Sequence, residues 1–431
     1  MGRVAEGLVC RLRQAAAGPG LRVLGGPGCP GPQLLRASVG RVSVLRPVFT
    51  TLITTGALLL MLALPTFPDG LTIPIVAFLA MLGAGGLGGF FRAPPARAEL
   101  ALLAPWLVAL GLGLMVGLVR GNSLGQALED ALPYFLFAFG LCAGRGASRP
   151  VWLLLATLLV CLCDAFQSLW LMPSFDISRY RSTYNFFKVI TGHLLVGIYC
   201  AAFLYRMTST RRQRGLLVAA QVLLVLAVIA TVSRGMVLGL VMGLLAAVYV
   251  RRPTRAVMVA VVMVVLGGVF ATTALDLGAQ YLRLGNVATV DGRVREIGLC
   301  LEYFAEMPMF GAGLGAQFVV DGFVVSYVHN MLAYHLWKFG VVGSTLFALP
   351  ILAMARQALR VPLPYRSTVV GGAVSVLVYL VTAASYKSYF LVPMVGVVVG
   401  ASLRIVLPGA GKGAATPALL PAEKAPSVGR A

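Results

Sequence analysis

Apolar runs of about 20 residues recur along this chain, separated by short polar connectors studded with arginine. A run of that length is what an α-helix needs to cross the ~30 Å hydrocarbon core of a bilayer. The pattern predicts spans at 48–64, 71–91, 99–119, 126–143, 151–170, 187–205, 215–232, 235–250, 256–273, 340–356, 367–384 and 389–406. The expected fold is therefore an all-α polytopic membrane protein of twelve helices, with both ends of the domain on one side. Residues 274–339 break the rhythm. They are the one long stretch too polar for lipid, a large loop between the ninth and tenth spans, and they hold two of the three histidines. Residues 1–47, rich in Gly, Pro and Arg, and 408–431, rich in Gly, Ala and Pro, read as disordered tails around a membrane domain at 48–407. No apolar run follows the first basic residues, so a cleavable signal peptide is not expected.

Charge in the connectors agrees with this threading. With both tails assigned to the cytoplasm, the inner connectors carry Arg92, Arg97, Arg145, Arg149, Arg206, Arg211, Arg212, Arg214, Arg251, Arg252, Arg255, Arg356, Arg360 and Arg366. The outer ones carry Asp69, Glu129, Asp130, Asp176, Asp276, Asp291, Glu296, Glu302, Glu306 and Asp321. That is the sorting by which positive charge orients a membrane chain. The net charge of +21 is thus an orientation signal, and no nucleic-acid partner is expected. Only 11% of residues are charged, against about 25% in soluble domains, which excludes a soluble enzyme. The seven cysteines show no ligand spacing and the outer carboxylates no Asp-x-Asp cluster, so neither metal nor cofactor is expected.

Arginine on the outer side is the anomaly. Arg214 and Arg251 both belong inside, yet residues 215–250 as one helix would reach roughly 54 Å. The stretch must turn back at Thr231-Val-Ser-Arg-Gly235, which pins Arg234 at the outer rim with no acid nearby in sequence. Other outer cations are Arg120, Arg179, Arg181, Lys188, Arg283, Arg293, Arg295, Lys338 and Lys387. Some have plain explanations: Arg179 and Arg181 can pair with Asp176, Arg295 with Asp291, and Lys338 and Lys387 can snorkel from span ends. Several guanidinium forks meeting across outer loops would instead bind an anion, at this depth a lipid-linked phosphate or pyrophosphate. His329, just before the helix-like run Leu332–Gly340, is suited to accept a proton near neutral pH. His335 lies six residues on, off the spacing of a two-histidine metal pair, and His193 inside a span reads as a packed residue.

These motifs resemble the O-antigen ligase and Wzy-type polymerase superfamily. Thr231–Gly235 is similar to its Ser-Arg-Gly hairpin, and Gly292-Arg293 followed by Pro308-Met-Phe-Gly-Ala-Gly-Leu-Gly315 to its Gly-Arg and Pro-Leu-Phe-Gly-x-Gly segments. His329-Asn330 matches its His-Asn pair, and Arg181 falls where the family has an arginine. The likeness covers about residues 150–405. Two features depart from it: the Pro-Asn expected after Arg181 is replaced by Phe187-Lys188, and the tryptophan expected four residues after the Gly-Arg is Ile297.

The resemblance implies an inverting, metal-independent glycosyltransferase in the bacterial inner membrane. Its donor would be a glycan on undecaprenyl pyrophosphate, its acceptor a hydroxyl of the lipid A–core, and its active site periplasmic. His329 would be the base. Arg234, Arg293, Arg181 and Arg295 would bind the pyrophosphate, with Arg179, Lys188, Asn330 and His335 as further candidates. Polymerisation of lipid-linked repeats, protein O-glycosylation and transport of an anionic lipid or glycan remain open as alternatives.

Overall fold

The computed structural model describes residues 48–64, 72–93, 97–171, 192–231, 233–260, 287–320, 322–363 and 365–406. Among them the chain is almost wholly helical. In order come α1 (Val48–Ala63), α2 (Ile73–Arg92), α3 (Arg97–Val119), α4 (Leu124–Gly146), α5 (Pro150–Leu171), α6 (His193–Met207), α7 (Arg211–Ala230) and α8 (Arg234–Arg251). They are followed by α9 (residues 253–260), α10 (Val287–Glu306), α11 (Met331–Arg360), α12 (Tyr365–Thr382) and α13 (Leu391–Val406). Seven described helices are long and apolar enough to cross a bilayer, and four shorter apolar ones accompany them. This is an all-α membrane-embedded protein. Of the predicted ninth span, only the first residues fall within the described part, in α9.

With lipid outside, the hydrophobic effect does little to draw helices together, and close approach of small residues takes over. α4 packs on α13 through Gly140 and Gly144 against Gly396 and Gly400, where an added Cβ would strike the facing backbone. Their register, Gly140 beside Pro393 and Gly144 beside Val397, makes the two helices parallel. α8 and α12 run antiparallel, with Gly235 against Thr382, Gly239 against Ser375 and Gly243 against Gly371. The start of α8, and hence Arg234, therefore lies at the same end of the bundle as the close of α12.

The opposite end is tied by arginine. Arg92 Nη1 donates to the Gly146 carbonyl (3.1 Å), Arg251 Nε to Ser367 Oγ (2.8 Å) and Arg366 Nε to the Val361 carbonyl (2.8 Å). Each satisfies an acceptor near a helix end.

Two features of the predicted large loop differ from expectation. Part of it is regular: α10 and a hairpin of β1 (Phe318–Val320) and β2 (Phe323–Val325), with Phe318 facing Val325 across the pair. Its end is also not loop, because α11 begins at Met331 and runs thirty residues, broken only at Gly340 (φ 60°). The span predicted at 340–356 is the lower part of this longer helix.

Candidate functional site

The segment Pro308–Ala316 is inserted between α3 and α11, and it explains the break in α11. An uninterrupted helix would bond Val341 N–H to the Trp337 carbonyl and Val342 N–H to Lys338. Instead Val341 N donates to Pro308 O (2.8 Å) and Val342 N to Met309 O (3.1 Å). The released carbonyls of Trp337 and Lys338 accept from Ala312 N (2.7 Å) and Gly313 N (2.9 Å). All four groups stay paired, so the kink leaves none of them orphaned in an apolar surrounding. Glycine is required where these backbones meet: a Cβ on Gly311 would lie 2.6 Å from Gly340 N, and both residues have positive φ. On the other side, Leu314 N donates to Gly113 O of α3 (2.8 Å), and Asn122 Nδ2 reaches the carbonyls of Ala312 (3.1 Å) and Leu314 (2.9 Å). The glycine-rich motif is thus a structural insert.

Beneath the insert lies a buried charge cluster. Asp130 of α4 accepts from Lys338 Nζ at 2.7 Å and from Lys387 Nζ at 2.7 Å, one lysine on each carboxylate oxygen, and from Gly315 N at 2.8 Å. Lys338 also donates to the Ala316 carbonyl and stands 4.3 Å from the Trp337 ring centroid. Its side chain is 0% exposed, which corrects the reading of Lys338 as a lysine snorkelling from a span end. Asp130, 208 residues away in sequence, neutralises it within the protein.

His329 sits on the platform these contacts make. Tyr386, in the 3₁₀ turn Ala384–Lys387, brackets the preceding residue, its hydroxyl donating to Val328 O (2.7 Å) and accepting from Val328 N (3.1 Å). Lys387 Nζ reaches the Ser326 carbonyl at 3.4 Å. On the far side Asn330 caps α11, its Oδ1 accepting from Leu332 N (2.9 Å) and Ala333 N (3.0 Å). The backbone is fixed on both flanks of the histidine.

The imidazole then meets α10. His329 Nδ1 lies 2.9 Å from Glu296 Oε2 and 3.2 Å from Oε1, and His329 N donates to Oε2 at 3.1 Å. Burial draws the Glu296 carboxyl upward. The His329 hydrogen bonds, the charge of that ring and the Arg293 guanidinium outweigh it and hold the carboxyl below its ordinary value. The pair is open to solvent, with the imidazole side chain 36% exposed.

The other predicted residues sort as follows. Arg293 is exposed on α10, one turn before Glu296, and its charge reaches that carboxylate. Arg295 is exposed on the same helix. Arg234 is half-buried as the first residue of α8. Gly235 beside it packs on Thr382, four residues before the tyrosine that brackets Val328, so Arg234 and His329 share one end of the bundle. Asn330 is occupied as a helix cap. His335 is built into the interior, its Nδ1 donating to Met331 O (2.7 Å) and its Nε2 facing the Tyr134 hydroxyl (2.9 Å). His193 pairs with Asp164 in the core. Arg179, Arg181, Lys188 and Arg283 lie outside the described residues.

Sequence reading missed Glu296, Asp130 and Tyr386 as members of this constellation. Glu296 offered one signal, being the first acid after Gly292-Arg293 and lying on the predicted amphipathic stretch. Among the described residues no group of three His, Cys, Asp or Glu is arranged to hold a metal ion. An apolar cavity of about 500 Å³ lies beside the site, bordered by α4, α11, α12 and α13 and reaching from Met331 and Tyr386 to Leu403 and Val406. No protein-family profile matches the chain, and no curated protein matches it in sequence.

Proposed function

We propose that this chain is an inverting membrane glycosyltransferase of the O-antigen ligase type, passing a glycan from undecaprenyl pyrophosphate to a hydroxyl of the lipid A–core. The observation that carries the reading is the half-exposed His329 imidazole, held on a fixed backbone beside Arg293 and at the same bundle end as Arg234. In this reading the expected threading of twelve spans puts that end at the periplasmic face of a bacterial inner membrane, and the arginine-tied end in the cytoplasm.

In this reading Arg234 and Arg293, joined by Arg181 and Arg295, grip the pyrophosphate. The acceptor hydroxyl attacks the anomeric carbon from the face opposite the leaving group. As the new C–O bond forms, its proton passes to His329, and the old C–O bond breaks with its electron pair leaving on the lipid pyrophosphate. Pyrophosphate is a good leaving group, so charge stabilisation by guanidinium suffices and no covalent intermediate is needed. The apolar cavity that begins at Met331 and Tyr386 offers the isoprenoid tail a bed running the length of the bundle.

Purified protein supplied with a lipid-linked glycan and a lipid A–core acceptor should transfer glycan without any ion gradient. His329→Ala and Arg234→Ala should each abolish product while leaving insertion and yield unchanged. Transfer at the wild-type rate in both variants would refute the mechanism. Activity that requires a gradient and gives no covalent product would mark a transporter instead.

A further inference from the structure

Glu296 is not among the family motifs, yet it makes the closest polar contacts to the imidazole. One carboxylate binds both the backbone N–H and the ring Nδ1 of the same residue, at 3.1 Å and 2.9 Å, so it fixes the main chain and the side chain of His329 together. An ionised carboxylate can only accept, which selects the tautomer protonated at Nδ1 and leaves the lone pair on Nε2. Glu296 projects from the helix that presents Arg293 one turn earlier. One rigid element thereby sets both the nitrogen that accepts a proton and a cation that meets the leaving group.

We propose that Glu296 is the positioning residue of the transfer reaction: it holds His329 with Nε2 as the basic nitrogen and stabilises the imidazolium formed when the acceptor hydroxyl gives up its proton. This rests on the assignment of His329 as base. The proton moves from the acceptor oxygen to Nε2, Nδ1 keeps its own, and Glu296 stays ionised throughout. Among the described residues the groups facing His329 are few. Glu296 approaches from α10, where the charge of Arg293 acts on that carboxylate, and the Tyr327 ring lies on the same segment as His329 with its centroid 5.7 Å away. Tyr386 and Lys387 bind the backbone from the 3₁₀ turn, and Lys387 is itself paired with Asp130.

The test compares full-length wild type, Glu296→Gln, Glu296→Asp and His329→Ala in detergent, by transfer rate against pH and by ¹⁵N NMR of ring-labelled histidine. Glutamine keeps the shape, and its oxygen can still accept from the backbone N–H and from Nδ1–H, but it carries no negative charge to stabilise the imidazolium. Glu296→Gln should lower the turnover number on the order of 100-fold with little change in acceptor KM. The acidic limb of its pH–rate profile should move to lower pH, because an imidazolium without its carboxylate loses its proton more readily. The ring signals should show His329 protonated at Nδ1 in both wild type and Glu296→Gln, and Glu296→Asp should restore part of the rate. A wild-type His329 ring protonated at Nε2, or a Glu296→Gln protein with wild-type rate and pH profile beside an inactive His329→Ala, would overturn the proposal and leave the base assignment intact. A fully active His329→Ala would remove both.

Discussion

Among the described residues two histidines stand against a carboxylate in opposite surroundings. His329 Nδ1 meets Glu296 at 2.9 Å with side chains 36% and 17% exposed, whereas His193 Nδ1 meets Asp164 at 3.2 Å with 0% and 1% exposed. The first bridges α10 and the segment before α11. The second joins α5 to the first turn of α6, in a core where Cys161 Sγ also donates to the His193 carbonyl (3.1 Å). An imidazole that exchanges protons with substrate must be reachable. A sealed pair gains and loses protons only when the core opens, and its role is to hold two helices. Access, not pairing, separates a chemical histidine from a structural one.

Substitutions should separate the pairs. Under the proposed function, the largest effect is loss of glycan transfer in His329→Ala, with the thermal midpoint in detergent unchanged. Asp164→Ala should do the reverse, leaving a buried polar ring without its acid partner. We expect destabilisation of about 3–5 kcal/mol, seen as a lowered thermal midpoint and reduced membrane yield. A normal midpoint in Asp164→Ala would contradict the sealed-pair assignment. Gly340→Ala attacks the platform under the open pair. The residue has φ 60°, and its new Cβ would meet Met309 O at 2.5 Å, so the variant should lose about 1–3 kcal/mol and most of its transfer activity. Acidification should have the smallest effect. Glu296 titrates below its ordinary value in the folded protein, so its contact is fully stabilising above the usual carboxylate range and fades as pH falls through the depressed folded value. A thermal midpoint that drops on acidification less steeply in Glu296→Gln than in wild type would show it.

The apolar helices were largely legible in sequence because run length marks them, and the break after Ala230 because residues 215–250 are too long for one span, whereas α10 and the first turns of α11 fell in the expected loop. α7 ends at Ala230 and α8 starts at Arg234. Contacts between distant segments were not legible. Glu296 and His329 are 33 residues apart, with the glycine insert and the hairpin between them, and no local spacing announces their meeting. Lys338 read as a span-end lysine because its partner belongs to another helix. The Pro308–Gly315 motif was visible, but its role depends on a gap in α11 that a helix-forming sequence conceals.

That gap has a mechanical consequence. Below Gly340, α11 hangs from Pro308 and Met309 instead of from its own preceding turn, which ties the lower rod directly to the insert. The insert meets Asp130 through Gly315 N, and Asp130 binds Lys387, whose Nζ reaches the Ser326 carbonyl three residues before the imidazole. An unbroken run of polar contacts thus joins the lower rod of α11 to the backbone that carries His329.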